Sequence, residues 1–260
     1  MRNIFAIVGR ELRAYFVSPV AYVVLTAFSF ITGLFFVLVL IEVDQYARNQ
    51  VAQNARFGGA PQPVDVPGIV LGNYLNTIQV LLLFLLPMIT MSLFSEEKRR
   101  GTIELLLTSP LRDIETVMGK FLSGFSFFAI MMAVSFLPLI SLFVFSRPDI
   151  GPFIAGYLGV LLFGASLISI GLFISAMTES QIIAAMLTYV AILFLWFINA
   201  LGAFTTAGTR EILEYLSIIG HMEDFLKGVI STPHVIFYLS LMGLGLFLTY
   251  RSVESLRWRG

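Results

Sequence analysis

The chain has no cysteine and few charged residues. Asp, Glu, Lys and Arg make up only 12% of its 260 residues. The lack of cysteine excludes disulfides, thiolate metal sites and a cysteine nucleophile. Soluble domains carry about a quarter charged residues, whereas this chain is 58% hydrophobic with a mean hydropathy of +0.90. The composition therefore indicates an integral membrane protein.

A nucleotide-binding loop is also missing. The pattern G-x-x-x-x-G-K-[ST] cradles phosphates, but around Gly119-Lys120 its first glycine and its hydroxyl are replaced by Ile114 and Phe121. We therefore expect no ATP hydrolysis and no cofactor in this chain. The formal net charge is zero and the Lys and Arg residues are grouped by loop, so no nucleic-acid partner is expected.

Six apolar tracts approach the ~20 residues that span a hydrocarbon core. They predict an all-α integral membrane protein with spans at 20–41, 75–94, 121–145, 153–177, 182–200 and 234–250. Six spans place both termini on one side. The termini and the loops on that side hold eleven Lys and Arg, against five on the other side. The positive-inside rule therefore predicts a multi-pass protein of the bacterial cytoplasmic membrane with both termini in the cytoplasm.

Three segments outside the spans have distinct patterns. Residues 1–18 place apolar and basic side chains on opposite helical faces, which predicts an in-plane elbow helix. Residues 42–72 are polar, with several Gly and Pro, and predict an irregular outer loop. Residues 201–233 are too polar to span and too apolar to be free, which predicts two short helices re-entering from the outer side, with Gly220 at the break.

The loop at 95–120 carries ten of the thirty-two charged residues between two apolar tracts. Gly101 follows three basic residues, which predicts the end of a helix there. Residues 102–108 form a short leucine-rich segment that cannot bury its own surface. Ser109-Pro110 predicts the N-cap and first residue of the next helix. The short segment is either a helix on the bilayer surface or a docking element.

The sequence from Pro87 to Lys120, PMITMSLFSEEKRRGTIELLLTSPLRDIETVMGK, resembles permease subunits of type-2 ATP-binding-cassette (ABC) transporters, particularly the gliding-motility and nitrous-oxide-maturation branch. In those permeases this loop is a coupling helix that seats in a groove of the ATPase subunit. The matching positions, and hence the implied ATPase-coupling residues, are Glu96, Glu97, Gly101, Thr102, Glu104, Leu105, Leu106 and Pro110. Within such a contact, Glu97 and Glu104 are expected near a solvated rim around a leucine anchor.

The resemblance implies an ATP-driven exporter permease that is not itself an enzyme. Its implied partners are a cytoplasmic ABC ATPase that binds ATP and magnesium, a second permease copy, membrane lipid and an auxiliary protein with a large extracytoplasmic domain. It also implies a transport pathway built from spans two and five. The pathway candidates are Phe84, Met88, Tyr189, Trp196 and Asn199.

Two alternative functions are a rhomboid-like intramembrane serine protease and a secondary transporter. Gly164-Ala165-Ser166 resembles the nucleophile stretch of rhomboid intramembrane proteases, with His234 as a possible base, but these residues lie at different depths of the membrane. A secondary transporter would usually keep ionisable groups near mid-membrane, and the interiors of the six tracts contain none. His221 beside Glu223 and Asp224 is a weak metal candidate, and we assign no metal.

Overall fold

The structure is a computed structural model that describes residues 2–57, 65–103, 111–146, 148–202 and 207–257. Within these residues the chain is helical and contains no strand. The helices are α1 (Arg2–Val17), α2 (Pro19–Phe57), α3 (Val66–Thr90), α4 (Ser92–Arg99), α5 (Asp113–Phe145), α6 (Ile150–Met177), α7 (Gln181–Gly202), α8 (Ala207–Leu216), α9 (Glu223–Leu226) and α10 (Thr232–Arg257).

Six helical segments are long and apolar enough to cross a membrane: α2, α3 together with α4, α5, α6, α7 and α10. The predicted all-helical fold with six apolar spans is therefore confirmed. The most apolar stretch of α6 is 67% buried, against 22% or less for α2, α7 and α10. Helix α6 is thus the centre of the bundle, and those three helices turn most of their surface outward.

Close packing on α6 depends on its small residues. A Cβ placed on Gly164 would lie 2.3 Å from the ring of Phe128 on α5, and one on Gly171 would lie 2.1 Å from the Thr90 hydroxyl on α3. From α10, Gly245 approaches Ser169 in the same way. Without hydrophobic driving force between helices in lipid, such close backbone approach supplies the packing. The small residues of this tract therefore serve helix packing.

The structure of residues 42–72 differs in part from the predicted irregular loop. Helix α2 continues to Phe57 and α3 begins at Val66, so an irregular loop is wrong for 42–57 and 66–72. The glycines and prolines of this segment fall almost entirely within 58–68, and Arg48 pairs with Asp44 at 2.8 Å one turn away. Because the breakers are clustered, the polar residues before them extend the helix.

The start of α5 also differs from the prediction, which placed its first residue at Pro110. Leu111 and Arg112 are not helical, and α5 begins at Asp113 rather than at Pro110. The Glu115 carboxylate accepts a hydrogen bond from the Arg112 N–H at 3.2 Å, which satisfies a donor at the helix start. Arg112 is therefore the N-cap residue of α5, and Ser109 lies outside the described residues.

Helices α8 and α9 confirm the prediction of two short helices in 201–233. Residues 217–222 separate them and include Gly220. Gly228 follows α9 with φ +84° and packs on Pro152 at the start of α6. The segment therefore sits against the 148–152 end of the bundle, while its depth in a membrane stays a prediction.

Adding one methyl group at Gly164 tests the packing on α6. We expect Gly164→Ala to lower stability by about 1–3 kcal/mol, because Phe128 is fully buried and cannot move away. Gly243→Ala on α10 is the matched control, since nothing lies within 4 Å of its added Cβ. Thermal unfolding in detergent measures both variants. Equal melting temperatures would contradict the packing role of Gly164.

Candidate functional site

At the end of α3, a side chain from α6 enters the hydrogen-bond ladder of the helix. The Ser175 hydroxyl accepts from the N–H groups of Phe94 and Ser95 at 3.0 and 3.1 Å and donates to the Met91 carbonyl at 2.9 Å. Pro87 lies one turn earlier and lacks a donor. The inserted hydroxyl and the proline interrupt the regular ladder where α3 ends and α4 begins.

Helix α4 ends in a Schellman motif at Gly101. The Gly101 N–H bonds to the Lys98 carbonyl at 3.1 Å, and the Thr102 N–H bonds to the Glu97 carbonyl at 3.0 Å. Gly101 has φ +67°, a conformation that favours glycine. The predicted helix end at Gly101 is confirmed, and Gly101 and Thr102 have a structural role in turning the chain into the loop.

A charged cluster joins α4 to two other helices. The Lys120 side chain on α5 is 1% exposed, and its ammonium nitrogen lies 3.0 Å from Glu97 on α4 and 3.6 Å from Glu11 on α1. Arg10 completes the cluster at 2.6 Å from Glu11 and 3.4 Å from Glu97. We call these four residues the coupling cluster. Its two cations and two anions balance, as burial of charge requires.

The surroundings of Lys120 explain how a buried ammonium is tolerated. Lys120 also donates to the Leu93 carbonyl at the start of α4 and lies 5.0 Å from the centre of the Phe94 ring. On the α1 side, the hydrogen bond to Glu11 raises the pKa of Arg10 and outweighs the opposing effect of burial. Arg10 therefore remains a cation in this cluster.

The docking of α1 brings Glu11 to this point. A Cβ on Gly119 would lie 2.8 Å from Ile7 of α1, so glycine allows the two helices to approach closely. At the start of α1, the Asn3 amide donates to the Glu115 carboxylate at 3.2 Å. The predicted elbow segment is thus a helix fixed to the start of α5, while its orientation to a membrane plane remains a prediction.

The predicted coupling residues divide into two groups. Glu96 pairs with Arg100 at 2.5 Å on the surface, whereas Glu97 is 19% exposed and faces the cluster. Glu97 thus pairs with the buried ammonium of Lys120, and its place at a solvated rim of an ATPase contact stays a prediction. Glu104, Leu105, Leu106 and Pro110 lie outside the described residues.

The predicted pathway residues are partly brought together. Tyr189 on α7 donates to the Phe84 carbonyl on α3 at 2.6 Å, and their ring centres are 5.9 Å apart. Met88 is exposed one turn further along α3. On α7, Trp196 is half-buried against the core and Asn199 is exposed. The pair Phe84 and Tyr189 therefore marks where the second and fifth spans meet.

The two groups needed for a serine protease are engaged elsewhere. The Ser166 hydroxyl is buried and donates to the Phe163 carbonyl of its own helix at 2.7 Å. His234 bonds to Asp224 at 2.9 Å and to His221 at 2.7 Å. Among the described residues, no group of three metal-ligating side chains is found.

Four residues of this site were missed by the sequence reasoning: Arg10, Glu11, Lys120 and Ser175. Gly119-Lys120 was part of the recognised pattern, but nothing in the sequence showed which charges would pair across 110 residues. A lysine at the first turn of an apolar tract was the available signal, because a charge there needs a partner.

Removing the charge of Glu97 tests the cluster. We expect Glu97→Gln to cost about 3–5 kcal/mol, because it leaves the buried Lys120 ammonium poorly compensated. Glu96→Gln is the matched control and should cost about 0–1 kcal/mol, because Glu96 forms only an exposed pair. Thermal unfolding measures both. The double variant Glu97→Gln and Lys120→Met should lose less stability than the sum of the losses of the two single variants. Equal values would contradict a direct interaction between the two side chains.

The family model described as "ABC-2 type transporter" matches residues 2–222, which include α1, the coupling cluster and the first five apolar spans. A search of curated proteins gave no match. The match covers well over half of the chain, and the chain therefore belongs to the ABC-2 type transporter family as its membrane permease domain.

Proposed function

We propose that the coupling cluster transmits movement of a partner ATPase from the 95–120 loop to the membrane spans. Family membership makes the chain the permease domain of an ATP-driven transporter, which lacks an ATPase site and works with a partner ATPase. The observation that carries the proposal is the buried Lys120, whose two carboxylate partners come from α4 and α1. One side chain therefore connects the loop helix, the N-terminal helix and a span.

Helix α4 has little freedom to move alone. Ser175 of α6 holds its first turn, Lys120 of α5 holds Glu97, and Lys98 donates to the Ala176 carbonyl at the end of α6. The Schellman motif then fixes the direction in which the chain leaves α4. A force applied to the following loop would thus reach α3, α5 and α6 together.

The contact with the ATPase itself is proposed from the resemblance. Leu105 and Leu106 would be its apolar anchor, with Glu96, Glu97, Gly101, Thr102, Glu104 and Pro110 shaping the loop on either side. Positions 104–110 lie outside the described residues, so the support here is the sequence pattern. Because Glu97 faces Lys120, we assign it to transmission of movement rather than to the docking surface.

Two sets of variants separate docking from transmission. Leu105→Asp and Leu106→Asp should reduce copurification of the ATPase, because a buried lone charge costs several kcal/mol. Thr108→Asp, which adds the same charge at a polar position of the loop, is the control. Glu97→Gln combined with Lys120→Met should keep copurification but lower ATP-driven transport per ATP hydrolysed.

The outcomes distinguish the alternatives. Unchanged copurification in both leucine variants at normal expression would make the docking assignment wrong. Loss of copurification in the Glu97→Gln and Lys120→Met double variant would instead place the cluster in the docking surface. Full transport in that double variant would contradict transmission through the cluster.

A second permease copy completes the proposed pathway. The exposed Phe84 and Met88 and the adjoining Tyr189 lie on α3 and α7, whose helices turn apolar side chains outward. A homodimer that pairs these faces would place the five pathway candidates, including Trp196 and Asn199, along its central surface. The apolar character of this surface favours an amphipathic or polymeric cargo over a small ion.

The long α2 supports the proposed auxiliary partner, whereas the gliding-motility or nitrous-oxide-maturation branch is proposed from the sequence resemblance alone. Its 39 residues extend about 58 Å at ~1.5 Å per residue, and the hydrocarbon core takes up only ~30 Å. The polar part from Glu42 to Phe57 thus projects beyond the apolar part as a continuous helix. It offers a rigid contact for a protein with a large extracytoplasmic domain.

The orientation in a bacterial cytoplasmic membrane is proposed from the positive-inside rule. The chain has no cysteine, so single cysteines report topology without background. We expect Asp149→Cys to react with a membrane-impermeant thiol reagent in intact cells, and Arg99→Cys and Glu179→Cys to react only after lysis. Labelling of Glu179→Cys in intact cells would reverse the assignment of the termini to the cytoplasm.

A further inference from the structure

The two histidines of the chain meet at the end of the bundle away from the coupling cluster. His221 lies in the turn between α8 and α9, and His234 lies in the first turn of α10. Their Nδ1 atoms are 2.7 Å apart. The other nitrogen of His221 lies 2.7 Å from the Tyr215 carbonyl, and that of His234 lies 2.9 Å from the Asp224 carboxylate. The four groups form one continuous hydrogen-bonded chain.

Counting protons along this chain gives its charge. The Tyr215 carbonyl only accepts, so Nε2 of His221 must carry a proton. The ionised Asp224 carboxylate also only accepts, so Nε2 of His234 must carry another. Between the two Nδ1 atoms one proton is needed, because two lone pairs or two N–H groups would repel at 2.7 Å. Three protons on two rings make one imidazolium shared by the pair.

We propose that His221, His234 and Asp224 form a proton-binding site that fastens the segment 207–226 to α10. If the proton between Asp224 and His234 moves to the carboxyl group, the total number held is the same. Removing one proton from these four groups leaves two hydrogen-bond acceptors facing each other. Adding one proton leaves two N–H groups facing each other between the rings. Only the singly protonated pair satisfies all of these contacts.

The packing around His221 favours a cation there. Its ring is 4% exposed and stacks on Phe237 of α10 with centres 3.8 Å apart, while the Tyr215 ring meets it edge-on at 5.2 Å. Aromatic faces attract a cation at this range. Burial has the largest effect and, with the charge of the neighbouring His234 ring, lowers the pKa of His221, while the hydrogen bond to the Tyr215 carbonyl opposes this.

The other charged groups nearby are mostly paired with one another. Arg210 bonds to Glu214 within α8 at 2.6 Å, and Lys227 lies 3.6 Å from Glu223 beside α9. Further titratable groups on the packed elements are the exposed Glu211 of α8, Asp149 at the start of α6, and Tyr238 of α10, whose hydroxyl donates to the Ile218 carbonyl. Asp224 is thus the carboxylate that compensates the shared imidazolium.

The attachment depends on pH because it depends on the shared proton. Removing that proton leaves one acceptor facing another, so the attachment is lost as the pH rises through the midpoint at which the pair releases it. A second proton at much lower pH would disrupt the contact between the two rings. The segment is thus held most firmly over an intermediate range of pH.

The experiment uses the fact that the chain has exactly two histidines. The full-length protein, purified with a tag that contains no histidine, is labelled with ¹⁵N-histidine in lipid nanodiscs and titrated by NMR. We expect both rings to titrate together through one common midpoint, because they share a single proton. Asp224→Asn should lower this midpoint by at least about one pH unit. The neighbouring Glu223→Gln, an exposed carboxylate paired with Lys227, should leave it unchanged.

Three results would overturn the site. These are independent titration of the two rings at the ordinary histidine midpoint, two neutral rings below that midpoint, and an equal effect of Asp224→Asn and Glu223→Gln. A spectrum that changes on adding EDTA, and returns with one equivalent of zinc, would make it a metal site instead. Midpoints unaffected by EDTA support the proton site.

A second measurement tests the fastening itself. Ser217 is fully buried in the turn next to this site, and the chain has no other thiol to react. The labelling rate of Ser217→Cys is divided by that of the exposed Ser255→Cys, which removes the intrinsic effect of pH on thiol reactivity. We expect this ratio to rise at least about tenfold as the pH rises through the NMR midpoint. In a variant that also carries His234→Gln, the ratio should be high at all pH values. A ratio that stays flat with pH would contradict the fastening role.

Discussion

The buried ammonium of Lys120 is the constraint that organises one whole end of the protein. A lone charge with 1% exposure would be prohibitive, so α4 must supply Glu97 and α1 must supply Glu11. Glycine at 119 lets α1 approach closely enough to do so. Gly119 and Lys120 thus act together: the glycine lets α1 approach, and the lysine binds the Glu11 carboxylate of α1.

Helix α6 imposes the second constraint. It packs against α3, α5 and α10 through small residues, and Ser175 near its end replaces part of the backbone ladder between α3 and α4. A hydroxyl in this position satisfies two donors that the interrupted ladder would otherwise leave unpaired, and unpaired backbone groups in a membrane cost several kcal/mol each. The junction of α3 and α4 is therefore stabilised by α6 and not by α3 alone.

The spans could be predicted from the sequence because the length of an apolar tract is a local property. The helix end at Gly101 could be predicted because a glycine that follows basic residues is also a local signal. The helix from Glu42 to Phe57 was missed because polar composition was taken to indicate a loop, although Gly and Pro are absent from that stretch. Pairing between Lys120 and Glu11, or between His221 and His234, depends on how distant helices pack. The periodicity of a single segment does not show how distant helices pack.

The two polar clusters lie at opposite ends of an apolar bundle and are connected by α3. At its start α3 packs against α9, which carries Asp224, and at its end it is followed by α4, which carries Glu97. Ser175 bonds the Met91 carbonyl and the N–H groups of Phe94 and Ser95, so it fastens the start of α4 to α6. The two clusters are therefore linked through packed helices and not through a direct contact.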